Sequence, residues 1–419
     1  MSKLRVEGGR RLSGRITVEG NKNSALPLLA ACLLTDDECV LTNMPRIRDV
    51  DVLSEIMIGI GATVEGTGTS TLRVRCQHLT TDRPDPVLVG KLRGSVLLLG
   101  PLLARKGSAR LAQPGGDFPA RRTINTHLQA LAAMGAVPLD EPGHALEAPN
   151  GLTGASIYLD EASVTGTETA ILAAAAAAGR TEIRHAAMEP HVAELCVFLR
   201  AMGVSVSGEG TPTIRVEGPA RCTGAQHRLH GDYIEAGSWG VTAAITGGDI
   251  EVLGARTADL EVIAAPLIKM GLQCRYDDDR LLIEASTLTA AGRITTGLWP
   301  GFPSDMVSLV TVLATQADGR TLVHDWLYEL RLFALEQLSA MHAGLFLCDP
   351  HRIIVSGPST LRGRHLDARD LRSGMALIAA ALAAEGESRI TPLETVERGY
   401  ASLVERLQSL GANVVREGP

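Results

Sequence analysis

The 419-residue chain predicts an α/β protein of two similar domains, each built from three copies of one layered unit. Three observations carry this reading. A helix-like segment closes on glycine six times, at Gly61, Gly135, Gly203, Gly271, Gly344 and Gly411, at intervals of 74, 68, 68, 73 and 67 residues. A second, almost wholly apolar run precedes that segment in the copies, and short β-branched stretches separate the two. Solenoid repeats run to about 50 residues, so a longer period fits a compact unit of strands and helices.

The elements follow in order. Residues 25–34, 95–104, 170–178 and 375–384 are apolar nearly all round, and a helix of that kind is buried. The stretches 38–42 and 181–184 follow them as strands. In the closing helix of the third copy, Val192, Leu195, Cys196, Leu199 and Met202 share one face, and Gly203 supplies a left-handed stop. Leu403, Val404, Leu407, Leu410 and Gly411 repeat the pattern, and a strand follows at 412–415. Each unit therefore reads strand, helix, strand, helix, strand. Two groups of three units imply an interdomain cleft, where ligands commonly bind.

Composition narrows the function. The net charge of −7, from 40 Lys and Arg against 47 Asp and Glu, does not suit a protein whose main partner is a nucleic-acid backbone. Aromatic residues make up 3%, too few for stacking platforms. Seven scattered cysteines, Cys32, Cys39, Cys76, Cys196, Cys222, Cys274 and Cys348, lack zinc or disulfide spacing and read as reduced, mostly buried, cytosolic thiols. The charged first ten residues do not read as a secretory signal, and the longest apolar stretch, 170–179, is about half of what a bilayer span needs. A cytoplasmic protein without a membrane partner is expected.

Counting back from the closing glycines aligns two slots. The first, about 40 residues upstream, holds Lys22, Arg93, Ser163, Asp232, Asp305 and Arg372. The second, 12 to 14 residues upstream, holds Arg48, Arg122, Glu189, Asp259, Arg331 and Arg398, with four arginines at an offset of 13. Both slots open helices, whose unsatisfied N–H groups and partial positive charge suit phosphates and carboxylates. Polar residues at helix starts also serve as ordinary caps and exposed charges. That simpler role fits Arg48 and Glu189, and it is as good as an active one for Asp232. Lys22 is one of only five lysines and sits in Gly20-Asn21-Lys22-Asn23-Ser24, a turn that frames a cation at a helix start. The loop Gly115-Gly116-Asp117-Phe118-Pro119-Ala120-Arg121-Arg122 reads as a lid, with Asp117 either a turn residue or a proton donor beside the two arginines.

At these residues the sequence resembles the enolpyruvyl transferases. Matching segments are Gly20 to Pro27, Leu92-Arg93-Gly94-Ser95, Pro114-Gly115-Gly116-Asp117, Phe302-Pro303-Ser304-Asp305-Met306, Asp370-Leu371-Arg372 and Glu397-Arg398-Gly399-Tyr400. Their order spans essentially the whole chain. The likeness is greater to the branch acting on UDP-N-acetylglucosamine (the UDP-N-acetylglucosamine 1-carboxyvinyltransferases) than to the shikimate-pathway branch, because Asn21-Lys22-Asn23 stands where the latter has Ser-Lys-Ser.

The resemblance implies an inside-out α/β barrel with its active site in the interdomain cleft. One domain would span 22–228 with a catalytic loop at 113–123, and the other 1–21 with 229–419. The implied reaction moves the enolpyruvyl group of phosphoenolpyruvate to the sugar 3-hydroxyl through a tetrahedral ketal and releases phosphate. By the same resemblance the catalytic residues would be Asp117, Asp305, Lys22 and Arg398. Lys22, Arg122, Arg372 and Arg398 would bind phosphoenolpyruvate. The acceptor would meet Asn23, Arg93, Arg122, Thr123, Ile124, Asn125, Ser163, Val164, Asp305 and Leu327. No cofactor or metal is implied. The expected partners are the two small substrates, and the expected state is a monomer or weak homo-oligomer.

Two positions depart from the family pattern. Asp117 replaces the usual cysteine that the antibiotic fosfomycin alkylates, which implies insensitivity to it. Glu161 stands where relatives place a lysine on the diphosphate, which opens a second reading: transfer to another acceptor, such as uridine monophosphate, in specialised metabolism. A non-catalytic ligand-binding homologue is the third.

Overall fold

The computed structural model describes residues 2–115, 123–218, 221–329 and 331–418. The described residues divide into two compact units, one of residues 20–115, 123–218 and 221–229, called below the 20–229 unit, the other joining the segment up to Glu19 with the chain from His230 onward.

In the 20–229 unit the described residues form two four-stranded sheets and one three-stranded sheet. The sheet at the end of this unit shows the plan. Strand Ser156–Tyr158 leads through helix Val164–Ala174 to the parallel strand Arg180–Arg184. Helix Pro190–Ala201 then leads to Ser205–Ser207, which turns back as Thr213–Glu217 between its own partner and Arg180–Arg184. The unit therefore carries one more strand than the sequence reading assigned. The missed strand is the return arm of a tight hairpin. Its signal was legible: Gly66-Thr67-Gly68-Thr69 and Gly208-Glu209-Gly210-Thr211 are the same turn twice. All four glycines have positive φ, and Thr69 and Thr211 Oγ1 each donate to the carbonyl of the first glycine at 2.7 Å.

In the other unit the described residues form three four-stranded sheets. Strand Lys3–Glu7 lies between Glu387–Thr391 and Asn413–Glu417, and Ser13–Thr17 runs parallel to Asp249–Leu253. The almost wholly apolar helices are interior. Every residue of Tyr233–Ile245 is buried, and this helix packs with Val307–Ala314 and Leu371–Ala383 around Trp239 and Tyr400. In the 20–229 unit, helix Leu99–Lys106 packs on Val164–Ala174, and Lys22–Ala31 packs on the 3-10 turn Arg93–Leu98. The all-round apolar runs thus become helices with no solvent face. The run at 170–178 is shorter than expected, since its helix stops at Ala174 and Ala176 and Ala178 are exposed.

Five closing glycines, 61, 135, 203, 271 and 411, have φ between 82° and 106° after their helices, as expected. The sixth does not. In the fifth copy, helix Gln337–Ala340 is followed by Met341 and by His342 at φ 70°, whereas Gly344 opens strand Gly344–Asp349. His342 takes the left-handed position, so Arg331 lies 11 residues before the stop (342 − 331) and the common offset of 13 holds for only three arginines. A glycine two residues late masked a histidine, which tolerates that conformation better than most side chains. Five cysteines are buried, Cys274 is half-buried and Cys348 is exposed, and all seven are free thiols.

Candidate active-site residues

In the 20–229 unit, the Asn21 side chain caps helix Lys22–Ala31, accepting from Asn23 N at 2.8 Å and Ser24 N at 3.3 Å. A Cβ on Gly20 would lie 1.8 Å from the Asn43 carbonyl, so only glycine lets the chain enter here. Lys22 becomes the first helical residue, and its Nζ lies 2.7 Å from Asp49 Oδ2, with side chains only 10% and 4% exposed. Asp49 belongs to the first turn of helix Arg48–Gly59. Its neighbour Arg48 pairs with Glu55 at the surface. Ser24 Oγ donates to Glu194, whose other oxygen meets His227 Nε2 at 3.0 Å.

A second group in this unit joins several expected acceptor residues. Arg93 Nη2 donates to the Thr123 carbonyl at 2.6 Å. Buried Ile124 precedes helix Asn125–Ala133, so Asn125 opens the helix. Ser163 caps helix Val164–Ala174 by accepting from Gly166 N at 3.2 Å, and Val164 is its first residue. The two helices approach closely, because a Cβ on Gly166 would meet Thr126 Cγ2 at 2.9 Å. Thr126 Oγ1 donates to Glu161 Oε1 at 3.2 Å, and His127 Nε2 meets Thr165 Oγ1 at 2.8 Å. Burial, helped by the Arg93 charge, lowers the His127 imidazole to about 4.

In the other unit, Asp305 lies in the 3-10 turn Ser304–Met306, with its side chain 28% exposed. Arg331 Nη1 donates to its Oδ1 and Arg372 Nη2 to its Oδ2, each at 3.2 Å. Both guanidinium groups are largely buried. Asp370 caps helix Leu371–Ala383 and fixes the Arg372 backbone, accepting from Arg372 N at 2.9 Å. Arg372 Nη1 donates to Tyr400 Oη at 3.2 Å, and Tyr400 in turn bonds Ser238 Oγ at 2.8 Å. Burial opposes the Arg372 charge, but Tyr400, Asp305 and Asp232 outweigh it and leave the guanidinium above its usual range. Burial also raises the Tyr400 phenol. Arg331 stacks over the Tyr328 ring at 4.6 Å.

Asp232 caps helix Tyr233–Ile245, accepting from Ile234 N and Glu235 N. Arg398 ends helix Leu393–Glu397, two residues before Tyr400. The Leu327 amide donates to Asp325 Oδ1 at 3.3 Å. Asp117, Arg121 and Arg122, with the expected lid, lie outside the described residues. Sequence reasoning did not name Asp49, Tyr400 or Arg331 as site residues. Arg331 had a signal in its slot. Tyr400 closed the matching segment Glu397-Arg398-Gly399-Tyr400, and Asp49 had no signal beyond its place beside Arg48.

In the second unit, a carboxylate held between two arginines suits acid–base work on a polyanion; in the 20–229 unit, a lysine stands at a buried helix start. A family model for EPSP synthase (3-phosphoshikimate 1-carboxyvinyltransferase) matches residues 6–407. The chain belongs to this family.

Among relatives, the UDP-N-acetylglucosamine 1-carboxyvinyltransferase of Bradyrhizobium diazoefficiens is 42% identical over 98% of this chain and 97% of its own. The one from Treponema pallidum is 41% identical, with all of both chains covered. Two solved structures share the fold of this EPSP synthase family member. The enolpyruvyl transferase NikO from Streptomyces tendae has a TM-score of 0.87 at 24% identity, covering 100% of both chains. EPSP synthase from Acinetobacter baumannii has a TM-score of 0.76 at 19%, again covering 100% of both. Like its family, the chain is a 1-carboxyvinyl transferase. Among the described residues, no helix is long and apolar enough to cross a membrane.

Proposed function

We propose that the chain transfers the enolpyruvyl group of phosphoenolpyruvate to the 3-hydroxyl of UDP-N-acetylglucosamine and releases phosphate, the first committed step of peptidoglycan precursor synthesis, in the cytoplasm. The observation that carries this reading is the Asp305 carboxylate with one guanidinium on each oxygen, in a chain about 40% identical over its length to transferases named for this acceptor. Asp305 takes the proton of the attacking hydroxyl as its oxygen bonds to C2 of phosphoenolpyruvate. Asp117 or Arg398 delivers a proton to the methylene carbon. The resulting tetrahedral ketal loses a proton from the new methyl group and expels phosphate. Lys22, Arg122, Arg372 and Arg398 neutralise the phosphate and carboxylate, and Asn23, Arg93, Thr123, Ile124, Asn125, Ser163, Val164 and Leu327 bind the acceptor.

This chemistry requires groups from both units to meet the same substrates, which fits domains 22–228 and 1–21 with 229–419 in an inside-out barrel. A monomer or weak homo-oligomer suffices for it. With Asp117 in place of a thiol, fosfomycin does not inactivate the enzyme; time-dependent inactivation with a mass adduct on Asp117 would contradict this.

Glu161 favours one alternative. It accepts from Thr126, in the group that includes Arg93 and Thr123, and a carboxylate disfavours a nearby diphosphate. An acceptor carrying a single phosphate, such as uridine monophosphate, suits that charge better. Phosphate release measured with each acceptor separates the readings, and ligand binding without release would leave a non-catalytic homologue.

A further inference from the structure

Asp325 is fully buried. Burying a carboxylate costs several kcal/mol unless donors surround it. Three do. Thr296 Oγ1 reaches Oδ1 at 2.8 Å, the Leu327 amide reaches Oδ1 at 3.3 Å, and Ser304 Oγ reaches Oδ2 at 2.6 Å. The Asp325 backbone is pinned as well, its N–H donating to the His351 carbonyl at 2.8 Å and its carbonyl lying 2.7 Å from His351 Nδ1.

The Ser304 contact leads onward. A hydroxyl has one proton, and Ser304 commits it to Asp325. Its lone pairs therefore face the other way, where Arg331 Nη1 donates at 2.8 Å while also donating to Asp305 at 3.2 Å. Ser304 and Asp305 are adjacent in one 3-10 turn, so the same bond fixes the guanidinium and the turn that presents Asp305. The negative charge behind the serine strengthens its acceptor side.

We propose that Asp325 is a positioning residue: acting through Ser304, it aims Arg331 at Asp305. The idea rests on the reading of Asp305 as the base. A turn-capping role alone does not require a charge, since an asparagine oxygen would serve Leu327 and Thr296 equally well. Asp325→Asn separates the two roles. Its oxygen must stay on the Thr296 and Leu327 side, which sets its NH2 toward Ser304 and reverses the bond there. The serine proton then points elsewhere and competes with Arg331.

The test compares Asp325→Asn, Ser304→Ala and Ser304→Thr by steady-state phosphate release from phosphoenolpyruvate and by thermal midpoint. The expected result is a kcat lower by roughly tenfold in Asp325→Asn and Ser304→Ala, as for one weakened charge-assisted hydrogen bond. KM should be little changed, and Ser304→Thr, which keeps the hydroxyl, should restore kcat. Wild-type kcat in the first two variants, or a fall in Ser304→Thr equal to that of Ser304→Ala, would overturn the proposal. A crystal structure of Ser304→Ala gives a readout that does not depend on activity. Arg331 should leave Asp305, and its retention there overturns the relay even if the wild-type enzyme releases no phosphate, an outcome that would count against the assigned reaction instead.

Discussion

Arg372 is held at both terminal nitrogens, by Asp305 Oδ2 at one and by Tyr400 Oη at the other, each at 3.2 Å. Both contacts orient this buried cation toward the carboxylate it faces. Removing that carboxylate tests the role of Asp305. Asp305→Ala should lower kcat by about 10²-fold or more, the usual scale for a general base, while phosphoenolpyruvate binding by calorimetry stays within a few-fold. Parallel loss of both would make Asp305 structural.

Tyr400→Phe removes the hydroxyl that orients Arg372 but keeps the ring. The partner hydroxyl is not orphaned, because Ser238 Oγ donates to the Ile234 carbonyl at 2.7 Å. The expected effect is a KM for phosphoenolpyruvate higher by about fivefold, the scale of one hydrogen bond of ~1 kcal/mol, with kcat changed less. A change confined to kcat would contradict a binding role for Arg372.

Lys22 and Asp49 form a pair in the interior of the 20–229 unit. Breaking a buried pair by removing one partner costs about 3–5 kcal/mol. Asp49→Asn should therefore lower the thermal midpoint by several degrees, and an unchanged midpoint would mean that Lys22 is satisfied without it.

The buried imidazole of His127 gives stability a pH dependence. Its value is lowered in the folded chain to about 4 from 6.5, so the unfolded chain binds the proton more readily. The contribution is complete above about pH 6.5 and is lost as pH falls through 4, about 3 kcal/mol in all. Glu168 works in the opposite sense. Burial, then the Glu189 charge, holds its carboxyl well above 4.5, so the stability it contributes at low pH disappears as pH rises through its folded value. Urea midpoints of His127→Gln should fall less than wild type between pH 7 and 4. An equal fall would assign the acid sensitivity elsewhere.

Much of the fold was legible because burial writes itself as composition. Helices with no solvent face, such as Tyr233–Ile245 and Leu371–Ala383, have no polar stripe, and five closing glycines stand where the backbone turns left-handed. The return strands were harder to see, since a four-residue glycine turn separates them from their partners. Slot counting located Lys22, Arg93, Asp305 and Arg372 through their helix starts. It could not find Asp49, Tyr400 or Asp325, whose importance lies in which side chain each one touches. Contacts such as Ser304 to Asp325 join residues 21 apart through tertiary packing, and no local pattern encodes them.

The central claim is tested most directly by phosphate release from phosphoenolpyruvate with the purified protein, using UDP-N-acetylglucosamine, uridine monophosphate or no acceptor. The account predicts release that depends on UDP-N-acetylglucosamine and is lost in Asp305→Ala. Release with uridine monophosphate alone, or none with any acceptor, would contradict it.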